Sequence, residues 1–203
     1  MDRMPAYNSS NRMKHSSTMK TIIWKGIFYN SLEYFQLSEN KDAILVKSKI
    51  IGTFKDKTYL VEYSLNIDKE WKVFNFEIEF EINNSKKKIN GVKNNNEWKI
   101  NGKTNTQFTN FDFIDTSLSP FTNTLPIKNL RLNDSQEKEI NVIYIDILEQ
   151  IIEPVKQKYR KNSDINYRYE NIPNDFAADI DVDEFGLVIF YPTLFKRMTT
   201  IDT

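Results

Sequence analysis

Few residues in this chain of 203 could do covalent chemistry. It has no cysteine and a single histidine, His15, in a polar amino-terminal stretch. That composition argues against thiol or imidazole nucleophiles and against Cys/His metal sites. Carboxylates remain, and a glycosidase-type reaction would need a pair such as Asp115 and Asp183 to converge beneath a pocket. Since acids near strand ends are usually solvated, we predict no catalytic residue, no cofactor and no metal.

The segment Ser119–Lys128 is better suited to binding. Its two prolines bracket three consecutive hydrogen-bonding residues, Thr122, Asn123 and Thr124, inside an apolar frame. If buried, these side chains need partners. The partners are either backbone groups where neighbouring elements end or the polar head group of a ligand. The residues alone leave both alternatives open.

Aromatic residues are abundant, with 14 Phe, 10 Tyr and 3 Trp. Most are expected to fill the core, but those with polar neighbours suit the mouth of an apolar cavity that binds an amphipathic ligand. The predicted polar lining of such a cavity comprises Thr122, Asn123, Thr124, Lys128, Gln157, Tyr159, Tyr169, Tyr191 and Arg197.

The elements that must position these residues are mainly strands. From Phe74 to Ile82, large apolar residues alternate with polar ones, which predicts a strand with one dry and one wet face. Trp71 and Val73 are in the opposite phase. This change of phase indicates either a β-bulge or a separate short strand before residue 74.

Turn-forming clusters divide the rest of the chain about every dozen residues, as in all-β proteins. Asn90-Gly91 and Asn101-Gly102 each predict a tight turn, and the second predicts a hairpin. Ser119-Pro120 predicts a short helix that ends at Pro126. The stretch 148–159 fits either a helix or a strand, and Pro154 favours the strand. Other strands are predicted at 21–29, 32–37, 43–51, 59–67, 97–100, 103–108, 108–114, 139–147, 167–170, 176–182 and 187–191.

Charge and hydropathy limit the partners and the location. The 28 basic and 28 acidic residues balance, which argues against a nucleic-acid partner. No apolar run is long enough to span a membrane, and residues 1–18 contain no apolar signal segment. We therefore expect a cytoplasmic protein with a disordered leader at 1–18 and a single folded domain at 19–203.

Two segments carry a resemblance to a known family. Ser119–Lys128 (SPFTNTLPIK) and Asp183–Arg197 (DEFGLVIFYPTLFKR) resemble the bacterial putative glycolipid-binding family, and the similarity extends over about residues 21–198. Shorter matches between and before these segments occur at residues 157–159, 167–170, Trp24, Glu33, Gly52, Tyr63, Trp71, Trp98 and Gly102. The resemblance implies a spiral β-roll, in which a long sheet winds around one helix, and a homodimer.

Together these observations predict a mainly β protein, a long antiparallel curled sheet wrapped around one short helix. Its predicted function is the non-catalytic binding or carrying of an amphipathic, lipid-like ligand such as a glycolipid. Two alternatives remain: a protein-interaction module, and a hydrolase that processes glycolipids with its carboxylates.

Overall fold

The computed structural model describes residues 19–173 and 175–202, so the predicted leader lies outside the described residues. These residues form one α-helix, 15 strands and two short 3₁₀ helices at 106–108 and 120–123. The elements are β1 Met19–Gly26, β2 Ser31–Glu39, β3 Ile44–Phe54, β4 Lys57–Ile67, β5 Val73–Ile82, β6 Ser85–Asn94, β7 Glu97–Ile100, β8 Lys103–Asn105, β9 Phe113–Thr116, α1 Thr124–Leu130, β10 Glu137–Asp146, β11 Ile151–Ser163, β12 Asn166–Ile172, β13 Ala177–Val182, β14 Val188–Tyr191 and β15 Phe195–Asp202.

All strands belong to one sheet, in the order β8-β7-β6-β5-β4-β3-β2-β1-β15-β14-β13-β12-β11-β10-β9. The first and last described strands, β1 and β15, pair in the middle of this order, and the sheet formed by the described residues does not close. The predicted curled sheet around one short helix is therefore confirmed. Its strands are not all antiparallel, because β9 and β10 run parallel. The connection between them passes through α1, and such a crossover returns the chain in the same direction.

The alternation in β5 places its apolar residues in the core, with one correction. Phe76, Ile78, Phe80 and Ile82 are buried, whereas Phe74 is 39% exposed. The pairing with β4 shifts between Asn66–Asn75 and Ile67–Val73, so Phe74 occupies a bulge and turns outward. Trp71 precedes the strand in a turn with a φ of 63°.

The helical segment lies inside the curled sheet. The Ser119 side chain accepts a hydrogen bond from the backbone N–H of Phe121 and caps the 3₁₀ turn, and α1 follows directly. Phe121 is fully buried, with its ring 4.6 Å from that of Phe35. The prediction that Pro126 ends the helix is wrong. Pro126 lies in the first turn of α1, where a helix does not use the backbone N–H, and the helix continues to Leu130.

Two further strand predictions concern the carboxyl-terminal half. The predicted strand at 108–114 is wrong in part, because Phe108 ends a 3₁₀ turn and β9 begins only at Phe113. The strand predicted around Pro154 exists as β11. Pro154 pairs with Ile143 of β10, whereas the pairing of β11 with β12 begins only at Lys156. A proline is tolerated there because β11 has one neighbour at that point. No described helix is long and apolar enough to cross a membrane.

Candidate functional site

A cavity of about 500 Å³ lies between the inner face of the carboxyl-terminal strands and the segment that connects β9 to α1. This size falls within the usual range for small-molecule sites, about 300–1,000 Å³. The residues that line it are Phe28, Tyr29, Asp115, Thr116, Ser117, Ser119, Asn123, Tyr144, Glu153, Val155, Gln157, Tyr169, Asn171, Phe176, Tyr191, Thr193, Leu194 and Phe195.

Asp115, at the end of β9, is the charged group of the inner cavity wall. Thr122 Oγ1 donates a hydrogen bond to its Oδ1 at 2.6 Å, and Gln157 Nε2 donates to its Oδ2 at 2.6 Å. The residue is half-buried. Protein surrounds its carboxylate, but the cavity gives solvent access to it. Burial raises the pKa of Asp115, while the hydrogen bonds from Thr122 and Gln157 oppose that shift. A fixed carboxylate of this kind can accept hydrogen bonds from a ligand.

A second hydrogen-bonded group adjoins this carboxylate. The hydroxyl of Tyr159 donates to Asn123 Oδ1 at 2.8 Å and lies 3.4 Å from Gln157 Oε1. Tyr159 is buried, so these contacts fix the amides of Asn123 and Gln157, both of which line the cavity. The inner wall therefore presents two oriented amides beside one carboxylate.

Aromatic rings form most of the remaining wall. Tyr169 lies 6.1 Å from both Phe176 and Tyr191, and Phe195 lies 6.2 Å from Tyr191 and 6.1 Å from Tyr29, measured between ring centroids. Burial, followed by the nearby charges of Asp146 and Asp115, raises the pKa of Tyr29 to about 12. Its hydroxyl therefore stays neutral near pH 7 and can donate a hydrogen bond to a ligand.

A second carboxyl group, that of Glu33, is buried against the helical segment at Ser119. Glu33 is 2% exposed, and its Oε1 accepts hydrogen bonds from Ser48 Oγ at 2.7 Å, the Tyr63 hydroxyl at 2.7 Å and Ser119 Oγ at 2.9 Å. Its Oε2 has no partner among the described residues. Burial raises the pKa of Glu33 to about 7, against the opposing effect of the three hydrogen bonds. Because Ser119 also lines the cavity, one side chain links the two sites.

Six of the nine predicted lining residues lie at or directly behind the cavity. Asn123, Gln157, Tyr169 and Tyr191 line it. Thr122 and Tyr159 lie behind this wall and hold Asp115 and Asn123, respectively. Of the two alternatives for Thr122, the structure shows the backbone partner. Its Oγ1 accepts a hydrogen bond from the Thr116 backbone N–H at 3.3 Å and also positions a cavity carboxylate.

The other three predicted residues lie elsewhere. Thr124 is fully buried in α1, and its Oγ1 has no partner in the described part of the chain. Lys128 lies in a separate groove that also contains Asp183, with its Nζ 5.6 Å from the Trp71 ring centroid. Arg197 Nη1 donates to Asp183 Oδ2 at 2.7 Å, while its Nη2 and Nε donate to backbone carbonyls at residues 187 and 188.

The sequence interpretation gave no binding role to several residues at these two sites. Glu33 shares the inward phase of β2 with Ser31 and Phe35, whereas Leu32 and Tyr34 point outward. An acid in the apolar phase of a strand was a readable signal of a buried carboxyl group. Phe176 and Phe195, by contrast, look like core residues, and only their positions in the sheet bring them to the cavity.

Comparisons with known proteins agree with this architecture. No curated protein matches the chain significantly. A DUF1089 family protein from Pseudomonas aeruginosa, solved by crystallography, is 28% identical with a TM-score of 0.76, and the match covers 97% of this chain and 100% of that one. A β-barrel-like protein of a domain of unknown function, DUF1849, from Brucella abortus is 7% identical with a TM-score of 0.50, covering 92% and 98%. At that identity the likeness concerns the fold alone.

The family comparison covers most of the sheet and the whole cavity. The model of the family described as "Putative glycolipid-binding" matches residues 21–197, which include β2 with Glu33, the helical segment at 119–130 and the aromatic wall. This chain therefore belongs to the putative glycolipid-binding family.

Proposed function

We propose that this protein binds an amphipathic, lipid-like ligand such as a glycolipid in the cavity beside Asp115, and carries it without chemical change. The observation behind the proposal is the division of the cavity wall. One part presents a carboxylate and two oriented amides, and the other part presents aromatic rings. A polar head group can hydrogen-bond to the first part while an apolar tail packs against the second.

The number of methylenes that the cavity buries determines the expected affinity. Each buried methylene contributes about 0.8 kcal/mol, so an octyl chain contributes roughly 6 kcal/mol before the costs of association, which are about 4 kcal/mol or more. Hydrogen bonds between the head group and the Asp115 region add to this. We therefore expect dissociation constants between about 10 μM and 1 mM for a short-chain amphiphile.

A hydrolase finds less support in the positions of the carboxylates. A glycosidase needs two carboxyl groups roughly 5–10 Å apart across the scissile bond. Asp115 lines the cavity, whereas Asp183 lies in the groove with Lys128 and is paired with Arg197. Glu153 also lines the cavity, but it is exposed to solvent, as an ordinary surface acid is. Both oxygens of Asp115 already accept hydrogen bonds from Thr122 and Gln157. We therefore propose that the protein does not catalyse a reaction on its ligand.

A protein-interaction module is the second candidate, and one observation favours it. Leu32, Ile51 and Leu60 are direct neighbours across β2, β3 and β4 on the outer face, and Ile51 is 65% exposed. Such a row of exposed apolar residues is typical of contact surfaces. The homodimer implied by the family resemblance would use a surface of this kind.

We also propose that the protein is cytoplasmic and that it has no nucleic-acid partner.

Titration with octyl glucoside tests the proposal directly. We expect saturable binding at one site by isothermal titration calorimetry, with the amphiphile kept below its micelle-forming concentration. Free glucose serves as the control and should bind much more weakly, since it lacks the tail that the aromatic wall accepts. Absence of saturable binding up to about 10 mM amphiphile, tenfold above the weakest expected dissociation constant, would contradict the carrier function and favour the interaction module.

A further inference from the structure

The cavity differs in charge from the rest of the protein surface. None of the described residues that line it is lysine, arginine or histidine, although the chain contains 28 lysines and arginines. Four other depressions of the described surface each contain at least one lysine, for example Lys49, Lys87 or Lys128. An anionic head group in the cavity would therefore lose its hydration without meeting a positive partner.

Negative charge is present there instead. Asp115 and Glu153 both line the cavity, at the inner wall and on the exposed part of β11, respectively. Asp146 is close enough for its charge to act on Tyr29 and Tyr144, which line the cavity as well. Three carboxyl groups thus make the electrostatic potential of the cavity negative, and its partly enclosed position limits screening by water.

The aromatic residues add a second feature that favours a cation. Four tyrosines, Tyr29, Tyr144, Tyr169 and Tyr191, line the cavity together with the rings at 28, 176 and 195. The faces of such rings attract ammonium groups, and aromatic cages with a nearby carboxylate recognise amines and quaternary ammonium ions. The rings therefore have two uses: packing the tail and stabilising a positive charge.

An unpaired hydroxyl provides an independent observation at the same wall. Thr116 lines the cavity and is buried, and its Oγ1 has no hydrogen-bond partner among the described residues. It directly follows Asp115, whose carboxylate accepts side-chain hydrogen bonds from Thr122 and Gln157 among the described residues. The Thr116 Oγ1 atom is itself closed off from solvent, so a protonated amine, which brings three donors and no acceptor, would bond to the Asp115 carboxylate.

We propose that the cavity selects amphiphiles whose head group carries a positively charged ammonium, and that it discriminates against anionic head groups. The inference rests on the proposed function, because it concerns the head group of the same ligand. An amino sugar on a lipid tail and a simple alkylammonium share this chemistry. Asp115 and Glu153 supply the charge, and the tyrosines supply the ring faces.

A head-group series with one constant tail tests the selection. Octylamine, octyltrimethylammonium, octyl glucoside and octyl sulfate are titrated separately by calorimetry at pH 7, below their micelle-forming concentrations. The net charge of the whole chain is zero, so the protein as a whole favours neither sign. We expect the two cations to bind at least tenfold more tightly than octyl glucoside, and octyl sulfate to bind most weakly.

Matched variants locate the effect in the cavity. Asp115→Asn and Glu153→Gln each remove one negative charge there, and Glu62→Gln removes one from the outer face of β4. Asp115→Asn should reduce the affinity for octyltrimethylammonium about tenfold more than it reduces the affinity for octyl glucoside. The exposed Glu153 serves if Asp115→Asn fails to fold, with an expected loss of about threefold. Glu62→Gln should change neither affinity.

The outcomes separate the two proposals. Tighter binding of both cations, reduced by the cavity variants alone, supports the inference. If octyl glucoside or octyl sulfate binds as tightly as the cations, the head-group selection is wrong and the carrier function stands. An equal loss of cation affinity in Glu62→Gln would also overturn the selection, because the effect would then be a general charge effect. If no member of the series binds, both proposals fail.

Discussion

Replacing Val155 by tryptophan is expected to weaken octyl glucoside binding about a hundredfold. Val155 lies on β11, lines the cavity and is only partly buried, so a larger side chain can enter the cavity without overpacking the core. Tryptophan adds about seven nonhydrogen atoms. If these displace three or four methylenes of the ligand, the loss is roughly 2.4–3.2 kcal/mol at about 0.8 kcal/mol for each methylene.

Val92→Trp is the matched control for this experiment. Val92 lies on β6, is 39% exposed and does not line the cavity, so the same change there should leave the dissociation constant unaltered. Calorimetric titration of both variants gives the comparison, and thermal unfolding confirms that both are folded. Unchanged affinity in a folded Val155→Trp protein would show that the ligand binds outside this cavity.

The folded protein is expected to lose stability between pH 4.5 and 8 because of Glu33. The pKa of Glu33 is about 7 in the folded protein and has its ordinary value of 4.5 in the unfolded chain. The folded state therefore holds the proton more tightly. The resulting stabilisation is complete below pH 4.5 and is lost as the pH rises through 7. A difference of 2.5 pKa units corresponds to about 3 kcal/mol in the free energy of unfolding.

Glu33→Gln isolates this contribution, since the amide is neutral at every pH and has nearly the same shape. Urea denaturation at pH 4.5 and pH 8 should give the variant a decline smaller than that of the unmodified protein by about 3 kcal/mol. Asp115 also has a raised pKa and contributes in the same direction in both proteins, so it does not affect the difference. Glu62→Gln, on the outer face, is the control. Equal declines for the Glu33→Gln variant and the unmodified protein would contradict a protonated Glu33.

Patterns of apolar residues were sufficient to predict most of the sheet. The alternation from Phe76 to Ile82 appears as the buried face of β5, and Asn101-Gly102 forms the expected hairpin between β7 and β8. The tight turn predicted at Asn90-Gly91 is wrong, because both residues lie within β6 and pair with β5. Local sequence did not reveal the bulge that exposes Phe74, because the register depends on the neighbouring strand. Nor did it reveal the parallel pairing of β9 with β10, which depends on the path of the chain around α1.

The candidate site was partly predictable for a similar reason. Asn123, Gln157, Tyr169 and Tyr191 were proposed from polar and aromatic patterns, and the structure brings these four to one cavity. Lys128, proposed on the same grounds, lies in another groove. A side chain in a strand points to one of two faces, but which face borders a cavity depends on how the distant strands curl. Which face borders the cavity therefore depends on long-range packing, and it cannot be inferred from the spacing of residues along the chain.

Native mass spectrometry of the freshly purified protein, followed by organic extraction and lipid analysis, is the most direct test of a ligand-carrying function. A ligand-carrying protein should show a reproducible adduct of a few hundred daltons, the size that a cavity of about 500 Å³ can enclose. The adduct should be depleted in Val155→Trp and retained in Val92→Trp. Bare protein that also fails to bind any member of the octyl series would contradict the account.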